Sequence, residues 1–220
     1  GFDLCVSKDD IMISYHLDKS METSHYWRDF KAKDTDDMGE IAKVITHSVW
    51  SPCVWREGRR HQTHFERADW LVLDFDNEPH QGETSLEQAK RTFCDTVSII
   101  GVTRSHQLSK NGQPPLDRYR VMIKLERPCL NLRDYRYMMT RQLRRYPGLD
   151  KSAKDGARYF FPCREVTQLV SDGYEEEYLE APEDFEKIDL KKFASCKRIG
   201  IITPPVRLAL IKVVPIGVRN

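Results

Sequence analysis

The chain has 220 residues, 40% hydrophobic and 31% charged, with a formal net charge of +1 at pH 7. That length makes one large domain or two small ones with a real core, and no apolar run reaches the roughly 18 residues that a membrane span needs. The six cysteines form no CxxC pair and no short-spaced Cys/His cluster, so a zinc centre is not supported and reduced thiols in a cytosolic (cytoplasmic) protein are expected. The opening "GFDLCVSKDD" lacks a basic region followed by an apolar stretch and does not read as a secretory signal.

The near-neutral average hides a polarity. Residues 104–164 carry 15 Lys/Arg against 5 Asp/Glu, and residues 165–189 carry 10 Asp/Glu against one Lys. The first stretch suits an anionic partner such as nucleic acid, although "RDYRYMMTRQLRR" is also what a helix with a solvated basic face looks like. The second, around "DGYEEEYLEAPEDFE", reads as a surface loop or linker.

In chain order, short strand signals fall at Leu4–Val6 and Ile11–Tyr15. Ile41, Val44, Ile45 and Ser48 have helical spacing, with Asp36 or Asp37 as the cap. "SPCVWREG" is a short strand, and Trp70–Asp76 is the central one. Thr84 and Glu87 have capping-box spacing for a helix whose apolar stripe is Leu86, Ala89 and Phe93. "TVSIIGVT" is a buried strand, paired as a hairpin with "RYRVMIKL" across the turn-rich "LSKNGQPPLD". A helix runs from Asn131 to about Tyr146 and stops at Pro147-Gly148. "ARYFFP" is a last strand, "APEDFEKIDLKKFA" holds one short helix, and the apolar end from residue 201 is not placed. This order gives an α+β fold with a largely antiparallel sheet.

Three elements carry chemistry. In "WLVLDFDNE", Asp74 and Asp76 share one face of a strand. Either one of them faces solvent or caps a loop, or a cation compensates the pair; the preceding apolar run and the strand end favour a hard divalent ion. In "TRSHQ", at the end of the next strand, His106 offers a general base or a phosphate contact. Arg104, Ser105 and Lys110 beside it favour phosphate. In "GLDKSAKDGARYFF", Asp150 is a third carboxylate and Arg158 a cation at the start of a strand, with Asp155 as the competing acid, capping a turn with Gly156.

In this order the elements resemble the signatures of the archaeo-eukaryotic primase superfamily, in its phage- and plasmid-type primase-polymerase branch. "LDFD" is similar to its hydrophobic-Asp-x-Asp/Glu motif. "TRSH" is similar to its small-x-His motif, although Arg104 stands at the small position. "LDKSAKDGARYF" is similar to its hydrophobic-Asp motif followed by Arg. The resemblance spans about residues 51–162. It implies an RRM-like, mostly antiparallel catalytic sheet over about residues 51–165, joined to an N-terminal α/β unit over about 1–50. Residues 166–220 would then be an acidic segment and C-terminal extension. It implies a template-directed nucleotidyltransferase, a primase or DNA polymerase of phage or plasmid replication. Asp74, Asp76 and Asp150 would hold two Mg2+ or Mn2+ ions. Ser105, His106 and Arg158 would hold a nucleoside triphosphate, with Arg104, Lys110, Arg118 and Arg120. A single-stranded DNA template or primer-template would lie along Arg136, Arg141, Arg144 and Arg145, and a helicase in the same chain or complex is a further expected partner. Tyr137 and Tyr146 are candidate stacking residues, while Tyr135 fits the helix's apolar stripe.

Two rival readings stand beside it. His61 and His64 in "HQTH" raise a metal-dependent nuclease or rolling-circle initiator, although three-residue spacing in a polar stretch suits a surface loop better. A non-catalytic RRM-like nucleic-acid-binding module would instead need aromatics exposed on its sheet face, and has no use for three clustered acids.

Overall fold

A computed structural model describes residues 11–18, 27–77, 83–109 and 112–185. The chain divides after Phe185, and the described residues all lie in the first unit. The strand expected at 4–6, Lys110, most of the helix expected near the C-terminus and the apolar end lie outside the described residues.

Two sheets organise this unit. Strands β1 (Ile11–His16), β2 (Lys31–Thr35) and β3 (Val49–Ser51) form an antiparallel sheet in the order β2-β1-β3, with helix α1 (Met38–His47) between β2 and β3. Asp37 caps α1, its carboxylate accepting from the Gly39 N–H at 2.7 Å. The larger sheet contains β4 (Cys53–Trp55), β5 (Phe65–Phe75), β6 (Ser98–Val102), β7 (Tyr119–Cys129) and β8 (Glu165–Val170), in the order β4-β5-β7-β6-β8. All its neighbours are antiparallel, so the architecture is α+β, as expected. β5 and β6 both flank β7, joined by helix α2 (Leu86–Thr92), and helix α3 (Leu132–Arg145) follows β7.

Period-two alternation divides the side chains of β5 between two cores. Leu71, Leu73 and Phe75 pack with Val121, Ile123 and Ile100, beneath Ala89 and Phe93 at α2 and Tyr135, Met138 and Met139 of α3. Trp70 and Val72 point the other way, with Met122 and Ile99, against Ile41 and Ile45 of α1 and Ile13 of β1. The five β5 side chains are fully buried, each stabilising by about 1.5–3 kcal/mol. The face that an open RRM-like sheet leaves to solvent is therefore covered by the N-terminal sheet and α1.

Three local expectations differ from the structure. The capping box of α2 is made by Ser85 and Gln88, one residue beyond Thr84 and Glu87. "ARYFFP" forms only one bridge, Phe160 to Trp50. The strand instead comes later, as β8, at the start of the acidic stretch 165–189 and ahead of the segment that read as a loop. The compact unit thus continues past residue 165. The Tyr174 and Glu176 backbones bond alongside Asp95, Val97 and Lys124. Glu175 pairs with Lys124, Glu176 accepts from Gln142 and the Tyr178 hydroxyl donates to Asp134. The basic middle of the chain is in part matched by this acidic segment, within the same chain.

Candidate functional site

The three expected acids meet at the end of β5. The Asp150 backbone N–H donates to the Asp74 carbonyl at 2.8 Å, and Leu149 bridges Phe75. This is the free edge of the strand's C-terminal half: β4 pairs only with residues up to Ala68, so the chain leaving α3 can lie alongside. Asp74 continues the Trp70-Val72 face and is 4% exposed. Burial raises its pKa, Arg120 and Arg158 oppose the rise, and the charges of Asp76 and Asp150 add to it. Asp76 and Asp150 are half-buried.

Two arginines compensate the cluster. Arg120 lies opposite Asp74 in the β5–β7 register, its Nε 3.0 Å from Asp74 Oδ1 and its Nη1 donating to the Phe161 carbonyl at 2.8 Å. Burial works against its charge, but Asp74 and Cys163 hold its pKa above the ordinary value. Arg158 enters from the segment that bridges β3. Its Nη2 is 3.0 Å from Asp150 Oδ2 and 3.7 Å from Asp74 Oδ2. The first is a hydrogen bond; the second is a looser charge contact. The buried Nε of Arg158 has no hydrogen-bond partner. Gly101 completes the face, since a Cβ there would lie 2.8 Å from Cys163 Sγ.

His106 sits at the same end of the sheet, beyond β6 and 8% exposed. Its Nδ1 accepts the Arg118 backbone N–H at 3.2 Å, so the neutral ring carries its proton on Nε2. Asp117 Oδ1 lies 3.9 Å from that Nδ1, a charge contact rather than a hydrogen bond. Burial lowers the His106 pKa, Asp117 raises it, and Arg164 lowers it further. Ser105 is half-buried beside it, its Oγ 3.3 Å from Thr103 Oγ1, and Arg104 is exposed.

Other expected residues are placed differently. Arg118 is 1% exposed and donates to the Ser105 and Leu108 carbonyls and to Gln113. It closes its own loop, which corrects its expected place on a triphosphate. Arg120 is the counterion of Asp74 in the structure. Asp155 caps the turn at Ala157 and accepts from Gln62, so it stands apart from the paired acids. Arg141, Arg144 and Arg145 are exposed on α3, which covers the sheet face turned away from Asp74, while Arg136 donates to Gln62. A strand lying on Arg141, Arg144 and Arg145 would be a sheet's thickness from the carboxylates. His61 and His64 occupy a surface turn with ring centroids 6.5 Å apart, where His61 contacts Thr63.

Arg164 gave no signal in the sequence, and Asn77 read only as the residue at which the central strand ends. Asn77 is 2% exposed at φ +50°, donating to the Thr84 and Asp117 carbonyls and accepting from the Thr84 N–H. Its own N–H donates to the Gly148 carbonyl. It thus ties the end of β5 to the His106 loop and to the chain entering Asp150. An Asn directly after an acidic strand end, a residue type that tolerates the left-handed backbone, is the local hint.

Carboxylates are the right donors for Mg2+ or Mn2+. Among the described residues, no three His, Cys, Asp or Glu side chains stand arranged to hold an ion. Asp76 and Asp150 lie close enough for their charges to act on Asp74, and Arg158 Nη2 reaches two of the three carboxylates. Three acids face two guanidinium groups there, and the Arg158 contact to Asp74, at 3.7 Å, is long. Among the described residues no helix is long and apolar enough to cross a membrane, and Cys53, Cys94, Cys129 and Cys163 are free thiols.

The fold and site together describe an α+β protein with an acid-and-arginine cluster at a sheet end. No protein-family model and no curated protein sequence matches the chain. Among solved structures it is similar to the AEP domain of the cyanophage S-2L primase-polymerase, with a TM-score of 0.38 and 10% identity, over 77% of this chain and 86% of that one. A likeness this distant assigns no activity.

Proposed function

We propose that the chain is a template-directed nucleotidyltransferase, a primase-polymerase that joins nucleoside triphosphates to a 3′-hydroxyl on single-stranded DNA. The observation that carries this reading is the Asp150–Asp74 backbone bond, which brings acids 76 residues apart in sequence together at the sheet end where His106 also lies. In this reading Asp74, Asp76 and Asp150 hold divalent ions, which supply Lewis acidity to the attacking and leaving oxygens. Arg158, released from Asp150, turns its guanidinium to phosphate. Neutral His106 donates from Nε2 to a phosphate oxygen, and exposed Arg164 adds positive charge at the same place. Arg120 stays with Asp74 and opposes the rise that burial gives its pKa.

A second reading has its own support: Arg120 and Arg158 already compensate Asp74 and Asp150, as a structural ion-pair network would. A 5′-labelled primer on a longer template, with ribo- or deoxyribonucleoside triphosphates and Mg2+ or Mn2+, separates the two. The enzyme extends the primer, and Asp74→Asn or Asp150→Asn lowers extension by about 100-fold or more. Extension that survives both substitutions, or none from the folded wild type, leaves the structural network. Cleavage of the DNA without nucleotides would point to the nuclease instead.

A further inference from the structure

Of the four tryptophans, Trp50, Trp55 and Trp70 are buried and Trp27 is 59% exposed. Trp27 is held in place by its neighbours. The Arg60 N–H donates to the Trp27 carbonyl at 2.9 Å, and the Phe30 N–H donates to the Gly58 carbonyl at 3.2 Å. The Arg60 guanidinium lies 4.7 Å from the Trp27 ring centroid and 4.6 Å from that of Tyr159, and its Nη1 donates to the Ala157 carbonyl. Phe161 meets Tyr159 edge-on at 5.7 Å. Two aromatic rings and a guanidinium thus form one fixed group, with much of the indole facing solvent. Single exposed apolar residues are ordinary on protein surfaces. This one is braced by a cation and joined through it to Tyr159, the residue next to Arg158.

We infer that Trp27, Arg60 and Tyr159 form a stacking platform for a base of single-stranded nucleic acid. The inference rests on the proposed function for the kind of ligand. Aromatic faces that take bases beside cations that take phosphates are the usual means of holding single strands without sequence preference. Among the near sequence neighbours of Trp27 and Arg60, Arg28, Lys31, Arg56 and Arg59 outnumber Asp29 and Glu57, and Asp155 also acts on Arg60. Along the extended run 158–161, Arg158 and Phe160 point to one side and Tyr159 and Phe161 to the other, as their ring contacts record. A base on the platform would therefore lie on the opposite side of this run from Arg158 and the carboxylate it pairs with. The occupant is the strand itself, because an isolated nucleotide lacks the successive phosphates that the flanking cations would bind.

Tryptophan fluorescence tests this directly, since the other three indoles are buried. The full chain is titrated with a thymidine 12-mer, without divalent ion or nucleoside triphosphate. Saturable quenching is expected, weakening as salt rises. Trp27→Ala and Tyr159→Ala, each with an unchanged circular dichroism spectrum, should bind a fluorescein-labelled 12-mer about tenfold more weakly, and Trp27→Phe should retain affinity. Unquenched wild type, unchanged affinity in Trp27→Ala, or equal quenching by thymidine triphosphate alone overturns the platform. Asp74→Asn should quench as the wild type does. Quenching without primer extension would therefore refute the proposed function and leave the platform standing. Extension without a Trp27 contribution to binding would do the reverse.

Discussion

Replacing Arg120 with Met keeps most of the side chain's length and removes the cation that faces Asp74. The lost contacts are the 3.0 Å pair to Asp74 and the 2.8 Å bond to the Phe161 carbonyl. Breaking one partner of a buried pair costs about 3–5 kcal/mol, and Arg158 at 3.7 Å holds the loss toward the lower figure. About 1 kcal/mol of it, the orphaned Phe161 carbonyl, does not depend on pH. The rest does. The folded-state pKa of Asp74 already lies above 3.8, so the folded protein binds this proton more tightly than the unfolded chain. Its contribution to stability therefore falls as pH rises from 3.8 through the folded value. Arg120→Met removes an influence that lowers this pKa and moves the window upward. Urea denaturation should show the larger loss at pH 8 and a smaller one at pH 5, and Asp74→Asn with Arg120→Met should lose less than the two single changes added together. Equal losses at both pH values, with additive substitutions, would refute the assignment of Arg120 as the counterion of Asp74.

Gly58 has φ +65°, and a Cβ there would lie 2.3 Å from the Phe30 carbonyl oxygen. Gly58→Ala should cost at least about 1–3 kcal/mol and shift the emission of Trp27, both read by fluorescence-detected unfolding; an unchanged midpoint would contradict the close approach. The His106 ring should titrate below 6.5 by NMR, lower in Asp117→Asn and higher in Arg164→Ala. Because its folded pKa is depressed, stability should fall as pH drops below 6.5 and level off once the folded value is passed. A midpoint at or above 6.5 would contradict the buried, acceptor-Nδ1 geometry.

Local chemistry made much of this fold legible. Asp37 at α1, Asn131 at α3 and the stop at Pro147-Gly148 are short-range signals, and the apolar run to Leu73 could only be a buried strand. β8 was hidden because "EVTQLV" is half-exposed at a sheet edge, where apolar periodicity is weak. The bridge at Phe160 is a single contact between distant segments, which local patterning does not encode. At the site, the residue types of Asp74, Asp76, His106, Asp150 and Arg158 could be read, but not what touches them. Arg118, just before β7, and Arg120, within it, stand two apart in the same basic run. Only the register with Asp74 turns one into a counterion, and only the loop around His106 turns the other into a structural donor. Arg60 sits in "REGRR", and its stacking partners Trp27 and Tyr159 are far away along the chain.

The most direct measurement is an anomalous difference map from a crystal soaked with Mn2+ and a nucleoside triphosphate. The proposal predicts manganese peaks within ligand distance of Asp74, Asp76 and Asp150. It also places Arg158 off Asp150 and against phosphate, with His106 Nε2 at a phosphate oxygen. Arg158 still bound to Asp150, with no manganese at the three carboxylates of a crystal that has taken up the nucleotide, would contradict it.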